Sequence, residues 1–251
     1  TYGHRFLAPE AVEVACADEF FSHFDAMKVI PSADARAASI REQIAKVEAQ
    51  TGLKADTPAG TFAEVVNLVE WPTVIVAHFD EEFLSVPPEI ITDAMLEHQR
   101  YFPMYRADGS LDNAFIVTGN GDPACTDTIR DGNERVVRAR LADAAFFVRE
   151  DRAKPLADYV EGLKAVVFQE KLGTVFSKTE RIETIAKSVC EQASVAGQDE
   201  ADSLRAAHLC KADLITGAVV EFTSLQGVMG GHYARYSGET EQVAEAITDH
   251  Y

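Results

Sequence analysis

At 251 residues, with 47% hydrophobic and 25% charged side chains, the chain has an ordinary globular composition and room for one large domain or two smaller ones. Its formal net charge of −18 argues against general nucleic-acid binding, which depends on Lys and Arg displacing counterions from phosphates. Four widely spaced cysteines, Cys16, Cys125, Cys190 and Cys210, form no Cys-x-x-Cys pair, which argues against a disulfide scaffold or a zinc ribbon.

No run reaches the ~18 apolar residues of a membrane span and no basic-then-apolar leader is present, so the expected location is cytoplasmic, with reduced thiols. The chain starts at Thr1, and Val243, Ala246, Ile247 and His250 keep helical spacing up to Tyr251. Both ends therefore read as internal to a longer polypeptide.

In chain order, Pro31-Ser32 opens a helix whose apolar positions Ala37, Ile40, Ile44 and Val47 keep a three-four spacing until Gly52. Val74-Ile75-Val76-Ala77 is β-branched and short, a buried strand. Pro87-Pro88 starts a helix with Ile91, Ala94, Met95, His98 and Phe102 on one side. Met104-Tyr105 and Phe115-Ile116-Val117 flank the turn signal Asp108-Gly109 as a hairpin. From Gly132 a helix runs to about Arg152, with Val137, Leu141, Ala144, Ala145 and Val148 as its apolar stripe. Lys154-Pro155 breaks it and marks the expected boundary between domains 1–153 and 156–251.

Beyond Pro155 only helices are expected. Ser177-Lys178-Thr179-Glu180 has capping-box spacing before Ile182, Ile185, Ala186 and Val189. Gln198 to Asp202 reads as a polar loop. Ser203 then starts a helix reaching Val220 that is apolar nearly all round and should be buried.

Charge is unevenly distributed. Residues 1–129 carry a net −13, residues 130–187 a net +2 and residues 188–251 a net −7, so any RNA contact belongs in the middle. On the helix after Gly132, Arg135, Arg138 and Arg149 fall within one sector of about 60°, with Arg140 on the opposite flank. Such a face holds phosphates by forked hydrogen bonds, or else is a solvated face of ion pairs with Asp131, Glu134 and Asp143. Lys164, Lys171, Lys178 and Arg181 form a second basic cluster, open to the same two readings. In His98-Gln99-Arg100-Tyr101-Phe102, Arg100 and Tyr101 are contact candidates, whereas Phe102 and His98 read as structural. Gly119-Asn120-Gly121 lacks the residues of a phosphate loop and reads as a turn with positive φ. No nucleophile arrangement is present, so no catalytic residue and no metal ligand is assigned.

Several ordered blocks of this sequence carry a resemblance. They are His98-Gln99-Arg100-Tyr101-Phe102-Pro103, Gly119-Asn120-Gly121, the run Gly132-Asn133-Glu134-Arg135 to Ala144, Val167-Phe168-Gln169-Glu170-Lys171-Leu172-Gly173, Glu221-Phe222 and Gln226-Gly227-Val228-Met229-Gly230. Together they resemble the β subunit of the heterotetrameric bacterial glycyl-tRNA synthetase. The resemblance implies an α+β domain over 1–153, similar to one in the β chain of phenylalanyl-tRNA synthetase, then an all-α HD-like domain over 156–251 that is cut short. It implies glycine tRNA and an α subunit as partners in an α₂β₂ tetramer. ATP with Mg would be used by the α subunit, and no cofactor would be held by this piece. Binding and positioning of the tRNA acceptor arm and scaffolding of the complex are the implied roles. A metal phosphohydrolase or a hydrolytic tRNA-editing module are the alternatives. Against the former, the segment from Ala206 to Leu214 has Ala212 before Asp213 where an HD fold has His-Asp, and Lys211 would repel a metal. His208 and Asp213 would lie about 140° apart on a continuous helix.

Overall fold

The computed structural model describes residues 1–251, which separate into two compact units, Thr1–Leu141 and Ala142–Tyr251. The division lies inside a helix, whereas Lys154-Pro155 lies just beyond that helix's end.

In the first unit, helices α1 (Ala33–Thr51) and α2 (Ala59–Leu68) pack on a four-stranded antiparallel sheet. The sheet runs β1 (Lys54–Ala55), β3 (Phe102–Tyr105), β4 (Leu111–Gly119), β2 (Thr73–His78). The cap signals of α1 are used as read. Ser32 accepts from Ala35 N, and Gly52, at φ 75°, takes the left-handed conformation that ends the helix without a Cβ penalty. Ile40 and Ile44 of α1 meet Phe62, Val65 and Val66 of α2 over Phe102, Met104 and Ile116 of the sheet. Central strand β4 is buried on both faces from Ala114 to Val117, which explains its unbroken apolar run.

Two expectations here need correction. Helix α3 (Pro88–Gln99) stops before Phe102, because Arg100 adopts φ 57° and turns the chain into β3. Phe102 is core, but as a strand residue paired with Ile116. The Gly119-Asn120-Gly121 segment contains no positive φ. Its working part is the asparagine. Asn120 Oδ1 receives Glu70 N at 2.8 Å, Trp71 N at 3.1 Å and His4 Nε2 at 3.0 Å. His4 is fully buried, and its Nδ1 accepts from Phe6 N and Leu7 N at 3.2 Å each, so Nε2 carries the proton that goes to Asn120.

Helix α4 (Thr126–Asp151) begins six residues before Gly132, which lies inside it with open space where a Cβ would stand. Glycine costs a helix only about 1 kcal/mol against alanine, less than tertiary contacts contribute. Those contacts are Arg130 Nε to Val76 O at 2.9 Å and Glu134 Oε1 accepting from His78 N at 2.9 Å, along the free edge of β2.

The second unit is mainly helical: α5 (Val175–Ala193), α6 (Gln198–Leu209), α7 (Gly217–Glu221), α8 (Val228–Tyr236) and α9 (Glu241–Asp249). It is not purely so. Strands β5 (Val167–Gln169) and β6 (Gly173–Thr174) form a small antiparallel hairpin, short enough to escape a periodicity reading. The cap of α5 is Thr174, whose side chain accepts from Ser177 N at 3.2 Å, so Ser177 is helical rather than capping. Gln198–Asp202 is the first part of α6, not a loop. The single long helix expected from Ser203 to Val220 breaks after Leu209, giving a 3₁₀ turn Ala212–Ile215 and then α7. No helix is long and apolar enough to cross a membrane.

If the Asn120 oxygen holds the segments around His4 and Glu70 together, Asn120→Ala should lower the stability of the chain by about 2 kcal/mol through unsatisfied donors. The readout is the urea midpoint, with the slope unchanged. A midpoint equal to that of the parent chain would mean that water replaces the amide oxygen at no cost.

Candidate nucleic-acid interface

Arg135, Arg138, Arg140 and Arg149 of α4 are exposed, and carboxylates already engage three of them. Arg135 Nη2 lies 2.6 Å from Asp131 Oδ2 on the same helix. Arg138 Nε reaches Asp80 Oδ2 at 2.8 Å and its Nη2 reaches Asp80 Oδ1 at 3.3 Å, a forked pair. The Arg138 hydrogen bond holds the Asp80 carboxyl below its usual pKa and raises that of the guanidinium. Arg149 lies 3.8 Å from Glu150 Oε1 and covers the Phe146 ring at 5.3 Å. Arg140 is exposed on the same helix and has an interaction partner of its own. Exposed pairs of this kind contribute little to stability. They leave the arginines exchangeable toward a phosphate while compensating their charge in the meantime.

Arg100 likewise pairs with Glu64, Nε to Oε2 at 2.7 Å. Tyr101, a contact candidate by sequence, is only 7% exposed; its ring stacks on Phe115 at 5.4 Å and its hydroxyl donates to Asn133 Oδ1. It belongs to the core. His98 is partly exposed, with Nε2 3.7 Å from Asp93 Oδ2.

The second basic cluster behaves differently. Lys164 pairs with Glu161 at 2.5 Å and covers Phe176 at 4.5 Å. Lys171 projects from the β5–β6 turn, where its backbone N–H donates to Gln169 Oε1 at 2.7 Å. Lys178 Nζ lies 4.3 Å from the Phe168 ring centroid, and Arg181 Nη1 donates to Leu172 O at 3.2 Å. None of Lys171, Lys178 and Arg181 is drawn into an ion pair. Gly173, at φ 83°, separates Lys171 from the helix that carries the other two. Around them Val167 is 71%, Phe168 43% and Leu172 54% exposed. On α5 itself Ile185 and Val189, which keep helical spacing in the sequence, are exposed, and the buried residues are Val175, Thr179 and Cys190. Composition gave no warning of this, because an amphipathic stripe does not say whether its partner belongs to the same unit.

The segment with departed His-Asp spacing folds into two separate arrangements. His208 Nδ1 meets Glu183 Oε1 of α5 at 2.7 Å. Asp213 is fully buried, and its Oδ2 accepts from Gly227 N at 2.6 Å and Gly230 N at 3.1 Å, with Oδ1 left without a donor. The glycines of the Gln226–Gly230 block are required here. Gly227 has φ 81°, and a Cβ on Gly230 would lie 3.0 Å from Asp213 Oδ2 and 2.7 Å from Ile247 Cγ2. Lys211 is 6% exposed, with Nζ 3.7 Å from the Tyr251 ring centroid; burial lowers its pKa. Sequence reasoning passed over Asp151, whose Oδ1 accepts from Gly217 N at 2.7 Å and whose Oδ2 accepts from Ala218 N at 2.9 Å and Tyr233 Oη at 2.8 Å. In the first unit a cavity of about 500 Å³ is lined by Leu84, Val86, Ile91, Thr92, Tyr105 and Arg106 among others, with Arg106 tied to Asp112 at 2.8 Å.

The family described as "Glycyl-tRNA synthetase beta subunit" matches residues 1–251. The chain belongs to that family. Among its relatives, the glycine–tRNA ligase beta subunit of Trichodesmium erythraeum is 44% identical over 256 residues, covering 100% of this chain and 36% of the relative. Those of Leuconostoc mesenteroides and Clostridioides difficile are each 41% identical, covering 100% of this chain and 37% and 36% of their own length. The chain thus spans little more than a third of the family members it matches. The sequence blocks that carried the resemblance divide between packing (Phe102, Asn120, Gly227, Gly230) and exposed charge (Arg135, Arg138, Lys171).

Burial raises the pKa of Asp213 above the ordinary carboxylate value, so the folded chain keeps that proton to higher pH than the unfolded chain. Its contribution to stability should fall as pH rises from the unfolded value through the raised one. Asp213→Asn should remove that part of the slope, measured as urea stability across pH 4 to 7 on the order of one unit per step. An unchanged slope in the variant would assign the titration to another group.

Proposed function

We propose that this chain forms the part of a glycine–tRNA ligase β subunit that binds tRNA, positions its acceptor arm for glycylation by the α subunit, and helps to scaffold the α₂β₂ assembly in the cytoplasm. Family membership supplies the frame for this reading. The observation that carries it is the set of cations on the second unit, Lys171, Lys178 and Arg181, that no carboxylate compensates in a chain of net charge −18. Arg100, Arg135, Arg138 and Arg140 in the first unit and Arg149 and Lys164 in the second are the further phosphate contacts of this proposal. Most of them would exchange a carboxylate partner for RNA. ATP and Mg belong to the α subunit in this reading, and the piece itself performs no chemical step. The finer fold assignment goes with it: an α+β domain similar to one of the phenylalanyl-tRNA synthetase β chain, followed by an HD-like helical domain. In that domain Lys211 and the fully enclosed Asp213 offer a metal no open position.

Charge reversal tests the reading in the full α/β enzyme. Lys171→Glu with Arg181→Glu, and separately Arg135→Glu with Arg138→Glu, should each weaken tRNA binding by about tenfold or more. Each lost contact should flatten the dependence of log affinity on log salt by about 0.7–0.9. Adenylate formation from glycine and ATP should be spared. The control pair is Lys28→Glu with Lys54→Glu; Lys28 lies over the Trp71 ring and Lys54 pairs with Glu48. Equal losses from all three pairs, or none from the first two in folded protein, would remove the proposed surface.

A further inference from the structure

The β5–β6 hairpin is too small to have a core of its own, and it turns its large apolar side chains outward. Val167, Phe168 and Leu172 are 71%, 43% and 54% exposed, on a segment of only eight residues from Val167 to Thr174. A solvated hairpin gains nothing from such residues; contiguous exposed apolar groups mark a surface that something else covers. The hairpin is nonetheless held in a definite shape. Gln169 Oε1 accepts from Lys171 N at 2.7 Å and Leu172 N at 3.1 Å, Val175 N donates to Val166 O at 2.8 Å, and Gly173 takes the positive φ of 83° that returns the chain to α5. Order without an internal core is the condition for a preformed contact surface.

The character of the occupant follows from what surrounds Phe168. Lys178 reaches to 4.3 Å of its ring centroid, Lys171 extends from the adjoining turn, and Arg181 is fixed against Leu172 O at 3.2 Å. Glu170 at the turn and Glu180 and Glu183 on α5 are the nearby acids in sequence; Glu183 pairs with His208, and none forms an ion pair with these three cations. An apolar partner protein would suit the exposed side chains but would bury these charges uncompensated, which is costly. A polyanion with flat apolar faces satisfies both. A single-stranded nucleic acid is such a ligand: its phosphates take the cations and its unstacked bases take an aromatic face. Duplex RNA does not qualify, because its bases are already stacked on one another and present no free face.

We infer that Phe168 is a stacking platform for an unpaired base of the tRNA, with Lys171, Lys178 and Arg181 holding the phosphates on either side of it. This rests on the tRNA-binding reading and adds to it the contact type and the part of the RNA engaged. Phe168 is on this view a positioning residue: it orders a flexible nucleotide and takes no part in the chemistry.

The test uses the full α/β enzyme with p-benzoylphenylalanine in place of Phe168, irradiated with transcribed tRNA and mapped to the nucleotide. Crosslinking to an unpaired nucleotide is the expected result. Crosslinking to helical nucleotides, to protein, or to nothing overturns the inference. In parallel, Phe168→Ala should weaken tRNA binding by about tenfold, whereas Phe168→Trp should retain it within about twofold, since either aromatic ring supplies the face. Equal affinities for the alanine and tryptophan variants would also overturn it. Lys171→Glu with Arg181→Glu in the same assay separates the two levels. If that pair loses affinity while Phe168 gives no RNA crosslink, the stacking platform fails and the tRNA reading stands. If neither change alters binding, the platform fails, and if Arg135→Glu with Arg138→Glu is also without effect, the tRNA reading fails with it.

Discussion

The second unit is organised around one buried carboxylate. Asp151, at the last position of α4, places both oxygens against donors that have no other partner: two backbone N–H groups at the start of α7 and the hydroxyl of Tyr233 in α8. Desolvating a carboxylate costs several kcal/mol, and only a full set of donors offsets it. The arrangement thereby fixes three elements at a point. Gly217 is needed beside it, because a Cβ there would come within 2.8 Å of the Phe147 ring and 3.4 Å of Asp151 Oδ1. Tyr159 adds a bond from its hydroxyl to the Asp151 carbonyl at 3.0 Å. Burial and the Asp151 charge both push the Tyr233 hydroxyl to stay protonated, so the donor is not lost over any ordinary pH range.

How legible this was in the sequence depended on whether a signal was local. The caps of α1, the β2 strand and the β3–β4 hairpin were readable because Ser32, Gly52, the β-branched run and Asp108-Gly109 act on their own neighbours. The start of α4 was not, since Gly132 reads as punctuation until the bonds from Arg130 and Glu134 to β2 are known. The helix expected from Ser203 to Val220 failed for a related reason. An all-round apolar pattern suits one buried helix, but Asp213 binds Gly227 N and Gly230 N from within a 3₁₀ turn, and the chain runs there in short pieces. The α5 stripe was legible as a stripe, yet Ile185 and Val189 face outward.

At the candidate interface the local signals stop at composition and spacing. Sequence picks out the basic residues, but it cannot separate compensated from uncompensated charge. Arg138 and Asp80 are 58 positions apart, and only the fold brings them within 2.8 Å. Conversely, Lys178 and Arg181 of α5 and the hairpin that carries Lys171 arrive beside one another through a two-strand element that no periodicity announces. The difference matters physically. A cation already paired with a carboxylate gains from RNA only the difference between two partners, while an unpaired one gains the whole interaction, less its hydration.

The Gln226–Gly231 string has an evolutionary reading as well as a mechanical one. Gly231 has no room even for a methyl group, since a Cβ would lie 3.0 Å from Ala244 O and closer still to Thr248 Oγ1, so α8 and α9 touch backbone to backbone. Gly227 and Gly230, just before it, are among the residues by which the chain resembles its family, and the role the structure gives them is packing against Asp213, Ile247 and Tyr251. They are a signature of inheritance rather than of occupation. A descendant that had stopped handling tRNA altogether would be obliged to keep them for as long as it kept its shape, and would still be recognised as kin.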